Sequence, residues 1–93
     1  MITRERLEEI LDGESRGSLY TKGIDAQVVA IALLRERIPH EVCGAIIGAA
    51  EHDQIYLCDI DDVLPYINEE DARTLAGCRL FIDSENDCFS MWA

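Results

Sequence analysis

Apolar positions crowd into one block of the chain, Ile24 to Ala50 (IDAQVVAIALLRERIPHEVCGAIIGAA), and are sparser on either side of it. Its aliphatic side chains cannot all be given to solvent, so the block predicts the mass around which the rest collapses. Ahead of it, Leu7, Ile10 and Leu11 share one helical face behind Thr3, a helix-capping residue; Glu5 falls in the first turn and Gly13 is placed to end the helix. The run Glu14 to Gly23 mixes Ser, Gly and charges and predicts a connector, with Leu19 and Tyr20 pinned by the core. A second helix is expected behind Asp25, with Val28, Ile31, Ala32 and Leu34 as its apolar stripe and Arg35, Glu36 and Arg37 at its solvated end, stopped by Pro39. Proline also suits a first helical turn, so a third helix with Val42, Ile46 and Ala49 facing inward is expected next. Gly44 and Gly48 keep a buried strand, VCGAIIGA, as the alternative.

Beyond Asp53 the pattern changes. QIYLCDI alternates as a strand does, with Ile55, Leu57 and Asp59 on one side and Tyr56 and Cys58 on the other. DDVLPYI reads as a single-turn or irregular segment broken by Pro65. Asn68 followed by Glu69, Glu70 and Asp71 is a strong helix start, because a capping amide and three acids all answer the exposed amides of a first turn; Gly77 ends that helix. The tail predicts a hairpin across Ser84-Glu85-Asn86-Asp87, with Leu80, Ile82, Phe89, Met91 and Trp92 available to pack. The expected architecture is a single α+β domain, residues 1–93: N-terminal helices on a small antiparallel sheet of about three strands with one inserted helix.

Composition adds a constraint that the pattern does not. With 93 residues, 48% hydrophobic and 29% charged, the chain is foldable without a cofactor but too short for a large catalytic cleft. Its formal charge of −11 is unevenly placed: residues 1–50 hold 8 acids and 6 bases, whereas 51–93 hold 11 acids against Arg73 and Arg79. Such a one-sided field repels nucleic acid and steers cationic partners. The first 15 residues lack a signal-peptide core and no stretch reaches the length of a membrane span, so a cytoplasmic protein with no membrane association is expected. Cys43, Cys58, Cys78 and Cys88 sit among apolar neighbours and read as buried thiols.

No constellation points to catalysis. Asp83-Ser84-Glu85-Asn86-Asp87 imitates the opening of a calcium loop, but Cys88 stands where the loop needs glycine and the chain ends before the bidentate Glu. The cysteines have no CxxC pair for zinc, and although His40 and His52 bracket Cys43, no third group completes a nucleophilic site. A non-enzyme without metal or cofactor is expected.

Two resemblances accompany this reading. Ile38 to Gly48, IPHEVCGAIIG, resembles the opening of the JAB/MPN metalloproteases, which would make Glu41 the catalytic acid/base; the HxH and aspartate that hold zinc in that family have no counterpart here. The opening ITRERLEEILDGESRGSL resembles the starts of small phage proteins, and the short acidic chain is similar in type to phage-encoded inhibitors of host defence, anti-CRISPR proteins among them. That resemblance implies a non-catalytic inhibitor occupying the basic groove of a host complex such as a CRISPR effector. The residues expected to meet such a partner are Asp59, Asp61, Asp62, Glu69, Glu70, Asp71, Asp83, Glu85 and Asp87. The competing expectation is a protein–protein module or homodimer using Phe89, Met91 and Trp92 as an apolar contact.

Overall fold

In the computed structural model, which describes residues 2–14, 23–51 and 53–92, helices α1 (Arg4–Glu14) and α2 (Gly23–Arg37) precede strands β1 (Ala49–Glu51) and β2 (Gln54–Asp59). A short helix α3 (Ile60–Val63), a 3-10 turn (Leu64–Tyr66) and helix α4 (Glu69–Gly77) then lead into β3 (Phe81–Asp83) and β4 (Cys88–Trp92). The expected connector residues Leu19 and Tyr20, and His52, lie outside the described residues.

The α+β expectation holds, with four strands in place of three: the sheet is antiparallel throughout, in the order β1-β2-β4-β3. The additional strand comes from the segment expected to be the third helix. Past Pro39 the chain makes one turn, runs irregularly and then pairs Ala49–Glu51 with β2. Arg35 is the physical reason for this course. Its guanidinium donates to the carbonyls of Ile38 (2.8 Å), Cys43 (3.0 Å) and Gly44 (3.1 Å), consuming acceptors in a non-helical arrangement, while the Gly48 amide donates to Tyr56 O at 2.8 Å. Glu41, singled out by the metalloprotease resemblance, is exposed on that turn.

The inserted segment also holds more helix than expected, with α3 and the 3-10 turn ahead of α4. Asn68 caps α4 as its sequence implies: its Oδ1 accepts from the Asp71 amide (2.8 Å), and Asp71 Oδ2 accepts from the Asn68 amide (3.2 Å). At the other end, Arg79 adopts φ 66° while its amide donates to Ala76 O and that of Leu80 to Leu75 O, a Schellman closure with arginine at the left-handed position that glycine usually fills. Helix α1 is capped by Thr3, whose hydroxyl accepts from the Arg6 amide at 3.2 Å, and continues one residue past Gly13.

Two apolar faces differ from expectation. Helix α2 begins at Gly23, ahead of Asp25, and buries Ala26, Ala30 and Leu34; Val28 (58% exposed) and Ala32 point outward. Small alanines let α2 approach the core closely, which the bulkier Val28 would prevent. In β2 both Leu57 and Cys58 are buried, because the pairing slips between Tyr56 (opposite Ser90) and Asp59 (opposite Cys88), a bulge that breaks strict alternation. The core gathers Leu7, Ile10, Leu34, Leu75 and Leu80 over Phe89 and Met91, which are therefore not available as a surface contact.

Candidate functional site

The nine acids of interest fall into three groups. Asp71 is 6% exposed; besides capping α4 it accepts from Arg37 Nε (3.2 Å) and Nη2 (3.3 Å). Glu69 pairs with Arg6 (3.1 Å) and Arg73 (3.4 Å), Asp87 with Arg4, and Arg4 also reaches Asp61 at 3.6 Å. The pairing is felt electrostatically: the Arg6 guanidinium holds Glu69 below the usual carboxylate range, and Arg4 does the same to Asp87. Asp83 organises the hairpin turn, accepting from the amides of Glu85 (3.0 Å) and Asn86 (3.3 Å) and from the side chains of Asn86 and Gln54. Burial pushes its carboxyl up, but those bonds outweigh burial and leave it lowered. Asp59, Asp62, Glu70 and Glu85 have no ion-pair partner among the described residues.

The sheet supplies an arrangement that the acids alone do not. Residues directly opposite each other on neighbouring strands point to the same face, and side chains along a strand alternate. Tyr56, Ser90 and Phe81 therefore form one row across β2, β4 and β3, extended by Ala49 of β1; Asp59, Cys88 and Asp83 form the next; Glu51, Gln54 and Trp92 form the third. The described helices pack on the other face, over Phe89 and Met91. On the opposite face, open among the described residues, Trp92 is 62% exposed and stacks on Phe81 with ring centroids 5.3 Å apart, and Tyr56 and Phe81 are half-buried. Beneath them Ser90 is wholly buried, its Oγ without a hydrogen-bond partner among the described residues.

Every charged side chain in these rows, Glu51, Asp59 and Asp83, is an acid, and Glu85 adds another from the adjoining turn. The Tyr56 phenol registers the field: burial pushes it up, and Glu51, Asp83, Cys88 and Glu85 push it further. An aromatic surface with a negative border presents ring faces and carboxylates together, the combination that receives a guanidinium or ammonium group. The sequence singles out Asp59, Asp83 and Glu85 as partner-binding and counts Glu51 only among the acids of the second half; that Tyr56 and Phe81 join them depends on strand order.

A groove of about 330 Å³ between α1 and β3 is lined by Glu8, Leu11, Asp12, Leu80, Phe81 and Ile82, a set with carboxylates and apolar side chains but no thiol, hydroxyl or imidazole. Among the described residues no group of three or more His, Cys, Asp or Glu could hold a metal ion, and no helix is long and apolar enough to cross a membrane. Comparison with family models, with curated proteins and with solved structures finds no match for the chain.

Proposed function

We propose that the protein is a non-catalytic inhibitor of the phage type, anti-CRISPR-like, that docks on a basic nucleic-acid-binding surface of a host defence complex through the open face of its sheet. The observation that carries this reading is the uniform sign of that face among the described residues: Glu51, Asp59 and Asp83 border Tyr56, Phe81 and Trp92, and no described strand residue beside them is a cation. Internal pairing of Asp61, Glu69, Asp71 and Asp87 narrows the contact from a general carboxylate array to this mixed surface. Stacked aromatics receive arginine side chains while the bordering carboxylates select for positive charge.

The test couples capture to blocking. Immobilised protein incubated with lysate of a candidate host should retain a complex that handles nucleic acid, and the free protein should block that complex from binding its nucleic acid. Retention should weaken roughly tenfold when salt rises from about 50 to about 300 mM. It should be lost with Glu51→Lys/Asp59→Lys while the fold persists. Equal retention and blocking by the charge-reversed variant would overturn the reading. A second reading, a homodimer or apolar interaction module, is favoured by the exposure of Trp92. In a two-fold dimer this acidic face would meet itself, so salt should strengthen the dimer and Trp92→Ala should abolish it, outcomes that sedimentation distinguishes.

A further inference from the structure

Cys43 and Cys58 lie 15 residues apart in the chain, yet their sulfurs are 2.9 Å apart. Both are fixed from outside the pair. The amide of Cys43 donates to Pro39 O at 3.1 Å and its carbonyl accepts from Arg35 at 3.0 Å, whereas Cys58 sits in the bulged part of β2 between its Tyr56 and Asp59 pairings. The Cys43 thiol has an acceptor in Ala45 O at 3.1 Å, which leaves its sulfur lone pairs toward Cys58; the Ile46 carbonyl is 3.9 Å from Cys58 Sγ. A disulfide has a bond length of about 2.05 Å, so closure asks each sulfur to move by less than roughly half an ångström, within the play of a cysteine side chain. No sulfur–sulfur contact among the described residues involves Cys78 or Cys88.

We propose that Cys43 and Cys58 form a reversible disulfide site that pins the connector between α2 and β1 to the second strand of the sheet. Cys43, half-buried, is the sulfur within reach of an oxidant; Cys58 is buried. With hydrogen peroxide as oxidant, the Cys43 thiolate attacks the O–O bond and hydroxide departs, giving a sulfenic acid. The Cys58 sulfur then attacks the Cys43 sulfur, forming S–S as S–O breaks, and the displaced hydroxyl leaves with the Cys58 proton as water. Two thiols and one peroxide thus become one disulfide and two waters. A dithiol returns both cysteines to thiols by exchange and is itself oxidised to a disulfide. The link encloses β1 and its turn, so it constrains the edge that borders the open face. This inference is independent of the proposed partner.

The experiment treats the full-length reduced protein with stoichiometric hydrogen peroxide, blocks remaining thiols with iodoacetamide and measures intact mass. Digestion on the N-terminal side of aspartates follows, separating the two cysteines at Asp53. The expected result is loss of two hydrogens, a peptide pair joined through Cys43 and Cys58, and a melting temperature raised by roughly 10 °C. The Cys78→Ser/Cys88→Ser variant should behave like the parent, and Cys43→Ser should not cross-link. Alkylation of both Cys43 and Cys58 after oxidation, oxygen adducts on Cys43 without a cross-link, or a bond to Cys78 or Cys88 would each overturn the proposal. The digest of the unmutated protein decides the matter even if a variant fails to fold.

Discussion

Arg37 holds Asp71 through two nitrogens, Nε at 3.2 Å and Nη2 at 3.3 Å, so that one carboxylate both caps α4 and anchors the end of α2. The site is nearly dry on the carboxylate side, which turns an acid that reads as surface charge into a structural joint. Replacing it by alanine removes the reciprocal cap and leaves the Asn68 amide unpaired. We expect Asp71→Ala to lower stability by about 2 kcal/mol in urea denaturation, with Asp71→Asn losing less because it keeps an acceptor. An unchanged midpoint for Asp71→Ala would show that the joint carries no weight.

The turn after α4 offers the opposite change. Arg79 occupies the left-handed region at φ 66°, where a β-carbon is penalised, and its amide still closes the helix onto Ala76 O. Arg79→Gly should therefore stabilise the protein by about 0.5 to 1 kcal/mol, read as a higher melting temperature. A lower one would mean that the arginine side chain contributes more than its backbone strain costs.

Arg35 is the staple of the irregular connector. Lysine retains its charge but cannot fork to three carbonyls, so Arg35→Lys should cost about 2 kcal/mol and speed amide exchange at Gly48, whose amide bonds to Tyr56 O. Exchange at Gly48 as slow as in the parent would argue that the connector holds itself.

These joints mark what was legible in the chain. The caps at Thr3 and Asn68, the stop at Pro39 and the terminal hairpin are local, decided within a few residues by side chains that bond nearby backbone. Strand β1 was not legible: Ala49, Ala50 and Glu51 are all exposed and carry no alternation, and they are a strand only because Tyr56, Ile55 and Gln54 lie opposite. The buried face of α2 was ambiguous because nearly every face is apolar, and close packing chose the alanines. Nothing in the chain signals that Arg4 meets Asp87, 83 residues away, or that Tyr56 and Phe81 flank Ser90. Charge counting found the acids, while the fold divided them into paired and unpaired.

Stability should fall at both ends of the pH scale. Burial, and then contact with Cys43, pushes the Cys58 thiol up to about 12, and burial pushes Cys78 up to about 11, both from an ordinary value of 9.0. The fold favours the protonated thiols, so their contribution is intact below pH 9.0 and is lost as pH rises from there through the folded values. Glu69 and Asp87 are lowered from ordinary values of 4.5 and 3.8, so what they contribute is present above those values and lost as pH falls through the depressed ones. Thermal melts under reducing conditions should show a plateau between about pH 5 and 9, and Cys78→Ala should soften the alkaline decline. A decline that Cys78→Ala leaves unchanged would assign it elsewhere.

The proposed docking mode requires positive charge to be received on the open face of the sheet rather than wherever carboxylates occur. Amide chemical-shift mapping with a short arginine-rich peptide tests it most directly. The largest shifts should cluster at Glu51, Gln54, Tyr56, Asp59, Phe81, Asp83 and Trp92, fade with added salt and vanish in Glu51→Lys/Asp59→Lys. Shifts spread evenly over Glu8, Glu9, Glu36 and Glu70, with Tyr56, Phe81 and Trp92 unmoved, would contradict it.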